Sequence, residues 1–346
     1  MKKIILLSVI CLCCVSMGMA RGSSSINPTE LRVENRTNPS VIETRKPRMS
    51  WINEPLDSEV KNAVQSAYRI LVASSEEILH KNVGDVWDSG KVKSDVSYLV
   101  DYAGDMLKPG KDYWWKVQVW DGEGKRSRWS DVSTFGMGLD CDDWHAEWIG
   151  APWQEESASA RYGQAPMFNK EFVVDTAGLV SAKVFVTGLG YFELELNGKK
   201  VGNDFFVPNV TNYGPRPGLD KARLPMKDNY ASSSVLYMAY DIKEWLLDGV
   251  NCLQATIGNG FFNSHSQWIE CYGSPRFICQ VRFDYVDGRS SEIVTDGTWK
   301  VSLSPMVYND VYGGEMYDAN VRPQFQPVVI RKAPEGKLKA HVAPAD

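Results

Sequence analysis

The chain has 346 residues, 43 acidic and 38 basic side chains and a formal net charge of −5. With no basic run anywhere, that balance argues against a nucleic-acid partner, and past the first residues no apolar stretch is long enough to cross a bilayer. Seven cysteines are too few to staple a chain of this length, and no CxxC spacing suggests zinc.

Met1-Lys2-Lys3 is a short basic start, followed by an apolar run over residues 4–15 and then Gly18-Met19-Ala20. A charged start, a short apolar centre and a small-x-small end predict a secretory signal peptide over residues 1–20, hence a secreted or periplasmic protein. Removal of that leader takes Cys11, Cys13 and Cys14 with it. Cys141, Cys252, Cys271 and Cys279 remain. Cys279 falls in phase with an apolar strand face and is expected to be a buried free thiol, while a bridge from Cys271 to Cys252 or Cys279 stays open.

About 325 residues are then left, enough for two or three domains. Residues 26–140 read as short strands between turn residues, the pattern of a small sandwich. Strands are predicted at residues 47–51, 65–73, 86–92, 113–120 and 127–135. The segment YWWKVQVW alternates cleanly, with Tyr113, Trp115, Val117 and Val119 on one face and Trp114, Lys116, Gln118 and Trp120 on the other. Trp114 and Trp120 could form a sugar platform, but aromatics at strand phase are more often packing. Leu107-x-Pro109-Gly110 before the Tyr113 strand, and Ser127-x-Trp129-Ser130 leading to Phe135, make this module resemble a fibronectin type III domain, expected to serve as a spacer.

Residues 145–330 bring a second set of strands. Phe192, Leu194 and Leu196 alternate with Glu193 and Glu195, and Asn197-Gly198 follows as a strong hairpin signal. Phe277, Cys279, Val281, Phe283 and Tyr285 alternate with Ile278, Gln280, Arg282 and Asp284. Asp287-Gly288 and Asp296-Gly297 mark further turns. Only residues 242–247 look helical. Period-two strands joined by hairpins, without a long helix, predict a jelly-roll β-sandwich and an all-β fold for the whole chain.

The run from Gly188-Leu189-Gly190-Tyr191 through Asn197-Gly198 to Gly202 resembles a signature of bacterial α-L-rhamnosidases of glycoside hydrolase family 78. Pro208, Thr211-Asn212-Tyr213, Tyr240-Asp241-Ile242, Ile257-Gly258-Asn259-Gly260-Phe261-Phe262 and Gly313-Gly314-Glu315-Met316-Tyr317-Asp318-Ala319 continue the resemblance in order. It implies the N-terminal, non-catalytic part of such an enzyme, with residues 331–346 a tail leading toward a downstream helical (α/α)6 barrel that carries the catalytic acids. No series of amphipathic helices for that barrel is legible here. The chain is therefore expected to be inactive alone, and the complete enzyme to hydrolyse terminal α-L-rhamnose with inversion.

Glycoside hydrolysis needs two carboxyl groups across the bond, and Glu193, Glu195, Glu270, Glu315 and Asp318 are the acids that invite the comparison. Surface strand acids and a module-linking role are the simpler readings. His265 lies in a polar loop, and no GxSxG surrounds any serine. Loop residues Asn203 and Asp204 are candidate calcium ligands, because calcium prefers oxygens on irregular backbone; the resemblance implies L-rhamnose binding through such a calcium. Asn259 and Asn263 would join in holding a sugar, with Tyr213, Phe262 and Trp268 flanking its apolar face. Asn and Asp also populate any turn, so a structural or adhesive β-module without a sugar site is the alternative.

Overall fold

A computed structural model of the protein describes residues 24–57, 59, 61, 63–157, 162–211, 213, 233–265 and 271–342. The expected leader, Asn212, Trp268 and Glu270 lie outside the described residues.

The first module contains β1 (Ile26–Val33), β2 (Arg48–Pro55), β3 (Gln65–Ala73), α1 (Glu76–His80), β4 (Trp87–Asp88), β5 (Val92–Lys93), β6 (Val100–Asp101), β7 (Asp112–Asp121), β8 (Arg126–Trp129) and β9 (Ser133–Gly136). A three-stranded sheet, β1-β2-β6, packs on a six-stranded one ordered β4-β3-β7-β8, with β5 beside β3 and β9 beside β7. The predicted face of β7 forms the core: Tyr113, Trp115, Val117 and Val119 are buried with Trp51, Ile70, Val72 and Phe135. Each such side chain contributes roughly 1.5–3 kcal/mol by leaving water.

The opposite face of this sheet departs from the simple alternation. A short helix, α1, is missing from the expected elements. Ser75 caps it by accepting the Ile78 N–H at 3.3 Å, and Leu79 covers Leu71 and Ala73 while Trp114, Trp129 and Val132 close around them. Trp114 is therefore packing. Lys116, buried on the same face, donates to Leu79 O and Asn82 Oδ1 at 2.7 and 2.8 Å and lies over the Trp129 ring. Trp120 is half-buried beneath Lys91 Nζ, 4.4 Å from the ring centre.

The second module begins with β10 (Ile149–Gly150), β11 (Pro166–Val174), β12 (Leu179–Leu189), β13 (Tyr191–Leu196), β14 (Lys199–Lys200) and β15 (Ser234–Asp241). It continues with β16 (Gly249–Gly258), β17 (Arg276–Tyr285), β18 (Ser290–Val294), β19 (Lys300–Leu303), β20 (Met306–Asp310), β21 (Gly314–Tyr317), β22 (Gln326–Pro327), β23 (Val329–Ile330) and β24 (Lys337–Ala340). One sheet runs β23-β10-β17-β12-β15-β24 with β18 beside β17; the other runs β14-β13-β16-β11-β19-β22; β20 and β21 form a separate hairpin. Between the two large sheets lie Phe168, Val184, Phe192, Leu194, Ile257, Phe277, Cys279, Val281 and Trp299, all buried. Asn197 and Gly198 both have positive φ, 53° and 74°, as a two-residue hairpin turn demands. Residues 243–245 make a single 3₁₀ turn in place of the expected short helix.

Two features add to the expected layout. Part of the expected tail is built into the fold: β24 pairs in parallel with β15, Ser234 opposite Lys337 through Tyr237 opposite Ala340. The first module also packs directly on the second. Lys183 of β12 forms an ion pair with Asp112 of β7 and donates to Ser40 O at 3.2 Å. Lys111 pairs with Asp284 at 2.7 Å, and Val41, Leu139, Phe185, Tyr237, Ala239 and Ala340 form one buried cluster between the modules. Alternate residues of β12 and β17 that would otherwise face water are covered by this seam, so Phe185 and Gln280 are fully buried.

Candidate functional site

Among the described candidates, Tyr213, Asn259, Phe262 and Asn263 gather at one end of the second module, where the turn after β16 meets the hairpin β20–β21. Asn259 is buried. Its backbone N–H donates to Asn309 Oδ1, and its side-chain amide donates to Tyr162 O and, at 3.0 Å, to Asn309 O. Asn263 is fully buried; its amide donates to Gly273 O at 2.7 Å and its Oδ1 accepts the Tyr162 N–H at 3.1 Å. Both amides tie neighbouring loops together, because buried backbone groups left without partners would cost stability.

Phe262 and Tyr213 do come together, but they face each other and not the solvent. Their rings meet edge to face at 5.2 Å, Tyr272 stacks on Phe262 at 5.8 Å, and both residues are buried. Burial pushes the Tyr213 phenol up to about 12. In this geometry neither ring is open to stack on a sugar. The sequence pattern could not separate a loop aromatic that packs inward from one that faces out.

Asp310, at the end of β20, organises the rest of this end. One carboxylate oxygen accepts the Ser264 hydroxyl and the His265 N–H, at 3.1 and 2.7 Å; the other accepts the Tyr312 and Gly313 N–H groups, both at 2.9 Å. Burial raises this carboxyl, and the four donors more than reverse it, leaving it below the usual aspartate value. His265 Nε2 lies 3.0 Å from Tyr162 O.

Asn203 and Asp204 sit in the loop after β14. Asp204 Oδ2 accepts the Tyr240 hydroxyl at 2.9 Å; burial first, and then the Asp204 carboxylate, pushes that phenol up. One amide and one carboxylate that is already bonded fall short of the six to eight oxygens calcium takes. Among the described residues no group of three His, Cys, Asp or Glu side chains converges as a metal site. Among the described residues the donor set does not fit a calcium cage.

Of the acids within the described residues, Glu193, Glu315 and Asp318 lie on open surface. Glu193 is exposed and its carboxylate is 3.5 Å from Lys200 Nζ; Glu195 is half-buried on the same sheet face, and Glu315 and Asp318 are exposed on and beside β21. Among the described residues, Cys141, Cys252 and Cys279 are free thiols. Cys279 is buried, and burial pushes its thiol up; Cys271 Sγ accepts from Asn263 and Cys252 Sγ from Asn169.

Outside this buried network, the same end carries aromatic rings that the sequence reading passed over. Phe206 and Tyr312 are 71% and 72% exposed. The rings run Phe206, Tyr191, Phe261, Tyr312, each edge to face with the next, at centroid separations of 5.7, 6.4 and 6.2 Å. The one signal in the sequence was Phe205-Phe206 placed in a loop, out of any strand phase.

Residues 28–140 match the family model for the Rha78A-like N-terminal immunoglobulin domain, and residues 177–345 match the α-L-rhamnosidase N-terminal domain. The chain belongs to the α-L-rhamnosidase family, as its N-terminal region. An α-L-rhamnosidase of Formosa agariphila is 34% identical over 92% of this chain and 34% of its own length. One from Alteromonas sp. is 32% identical over 86% of this chain and 31% of its own. The structure of the α-L-rhamnosidase from Dictyoglumus thermophilum superposes with a TM-score of 0.77 at 32% identity, covering 94% of this chain and 36% of that one. The chain thus spans about a third of the length of these relatives. The Streptomyces avermitilis enzyme, solved with L-rhamnose, shares the fold with a TM-score of 0.73 at 22% identity. No helix among the described residues is long and apolar enough to cross a membrane.

Proposed function

We propose that this chain is the accessory part of an exported α-L-rhamnosidase, a rigid two-module body that contacts rhamnose-containing glycans without cleaving them. Hydrolysis of terminal α-L-rhamnose belongs, in this reading, to the complete enzyme. The observation that carries it is the buried seam: Lys183 with Asp112, and Tyr237 with Leu139, hold the modules in one fixed arrangement, as an accessory unit needs if it is to keep a glycan in a constant position. The open placement of Glu193, Glu315 and Asp318 supports a non-catalytic role, since the reaction requires two carboxyl groups held on opposite sides of one bond.

Calorimetric titration of L-rhamnose into the chain, with calcium and then with a chelator, together with an assay for rhamnose released from a rhamnoside, tests this. Binding without release is the expected result. Release by the chain alone would sink the non-catalytic reading. Absence of both would leave a purely structural or adhesive module. Binding abolished by the chelator would restore a calcium site.

A further inference from the structure

We propose that the ring row Phe206, Tyr191, Phe261 and Tyr312, exposed at its two ends, is a pyranose-stacking site that works without a metal. This rests on the glycan-contacting reading above and gives it a different location from the buried Asn259 and Phe262 turn.

Three observations carry it. The first is exposure. A soluble domain normally turns large aromatics inward, yet Phe206 and Tyr312 leave most of their surface in water. Phe206 adopts φ +54°, a left-handed conformation that side chains with a β-carbon adopt only with strain. Its loop is anchored beside β13 because the Phe192 N–H donates to Val207 O at 3.0 Å. Beyond its edge-to-face contact with Tyr191, an apolar side chain held outward in a strained conformation serves no packing purpose.

The second is ring access. Tyr191 stands opposite Gly258 in the sheet, so its cross-strand neighbour has no side chain to cover it. Each edge-to-face contact covers at most one ring face, so the three contacts fix the rings while leaving the mostly exposed Phe206 and Tyr312 surface for the C–H face of a sugar.

The third is the polar company. Glu193 lies two residues along β13 on the same face as Tyr191, opposite Thr256. Its carboxylate is 3.5 Å from Lys200 Nζ, which itself lies 3.8 Å from the centre of the exposed Phe205 ring. A carboxylate, an ammonium and a hydroxyl beside an aromatic row supply acceptors and donors for sugar hydroxyls while the rings take the apolar face. A 6-deoxy sugar such as L-rhamnose, with a methyl group in place of one hydroxymethyl, suits that division well.

The test uses the full chain with Phe206→Ala and Tyr312→Ala, titrated with L-rhamnose and with a rhamnose-terminated oligosaccharide in the presence of chelator. Because both side chains are mostly exposed, thermal midpoints should match the parent. The expected result is binding by the parent that each variant weakens by about tenfold or more. Undiminished affinity in both variants would overturn the row while leaving glycan contact elsewhere on the chain intact. No binding of either ligand by the parent would overturn the row and the glycan-contacting reading together. Self-association of the parent that Phe206→Ala abolishes, seen by sedimentation, would instead assign the row to a second copy of the chain.

Discussion

The Tyr237 hydroxyl accepts the Leu139 N–H at 2.9 Å, joining a strand of the second module to the end of the first across a fully buried contact. Lys183 and Asp112 pair in the same seam, with the lysine side chain 3% exposed and the aspartate 20%. Together they turn two sandwiches that each have a core of their own into one mechanical unit.

Replacing Tyr237 by Phe leaves the Leu139 N–H buried and unpaired, which should cost about 1–3 kcal/mol. Lys183→Met strands the Asp112 carboxylate and should cost about 2–4 kcal/mol, reduced from the fully buried case because Asp112 keeps some solvent. Chemical denaturation of each variant checks both figures. A double change to Lys183→Met with Asp112→Leu should recover part of the loss, since no charge is then left stranded.

Asn259→Ala removes two amide donations to buried carbonyls, those of Tyr162 and Asn309. The expected outcome is a loss of about 1–3 kcal/mol in stability with sugar affinity unchanged where the protein remains folded. A variant of full stability that no longer binds rhamnose would return Asn259 to the ligand site.

The Asp310 carboxyl sits below its ordinary value because the donors from Ser264, His265, Tyr312 and Gly313 outweigh its burial. A carboxyl depressed by folding stabilises the fold fully above its unfolded value, about pH 4, and that contribution is lost as pH falls through the folded value. Asp310→Asn should therefore lower the thermal midpoint at pH 7, and the gap to the parent should narrow below about pH 4. Paired melting curves across that range provide the check.

Thiol accessibility should follow burial. Cys141 is exposed, while Cys271 and Cys279 are buried. In the folded protein Cys141 should react first with a disulfide reagent, and Cys279, whose thiol burial pushes up, should resist until unfolding. Denaturation without reductant should then expose Cys252 and Cys279 to the reagent as well; continued resistance of Cys279 would contradict protection by burial.

The all-β class, the phase of β7, β13 and β17, and the Asn197-Gly198 turn follow from sequence alone, because strand period and turn chemistry are local properties. Alternation tells which side chains share a face. It does not tell what covers the second face, and there the tertiary structure decided: α1 and Leu79 cover one side of β3 and β7, and the first module covers Lys183 and Phe185 of β12. The same gap separates the two aromatic sets. Phe262 and Phe206 both stand in loops, yet one is buried against Tyr213 and the other projects into water beside Tyr191. Which way a loop side chain points depends on contacts with residues distant in the chain, here Tyr213 for Phe262 and the Val207 carbonyl's bond to Phe192 for the Phe206 loop. Periodicity carries no record of those contacts.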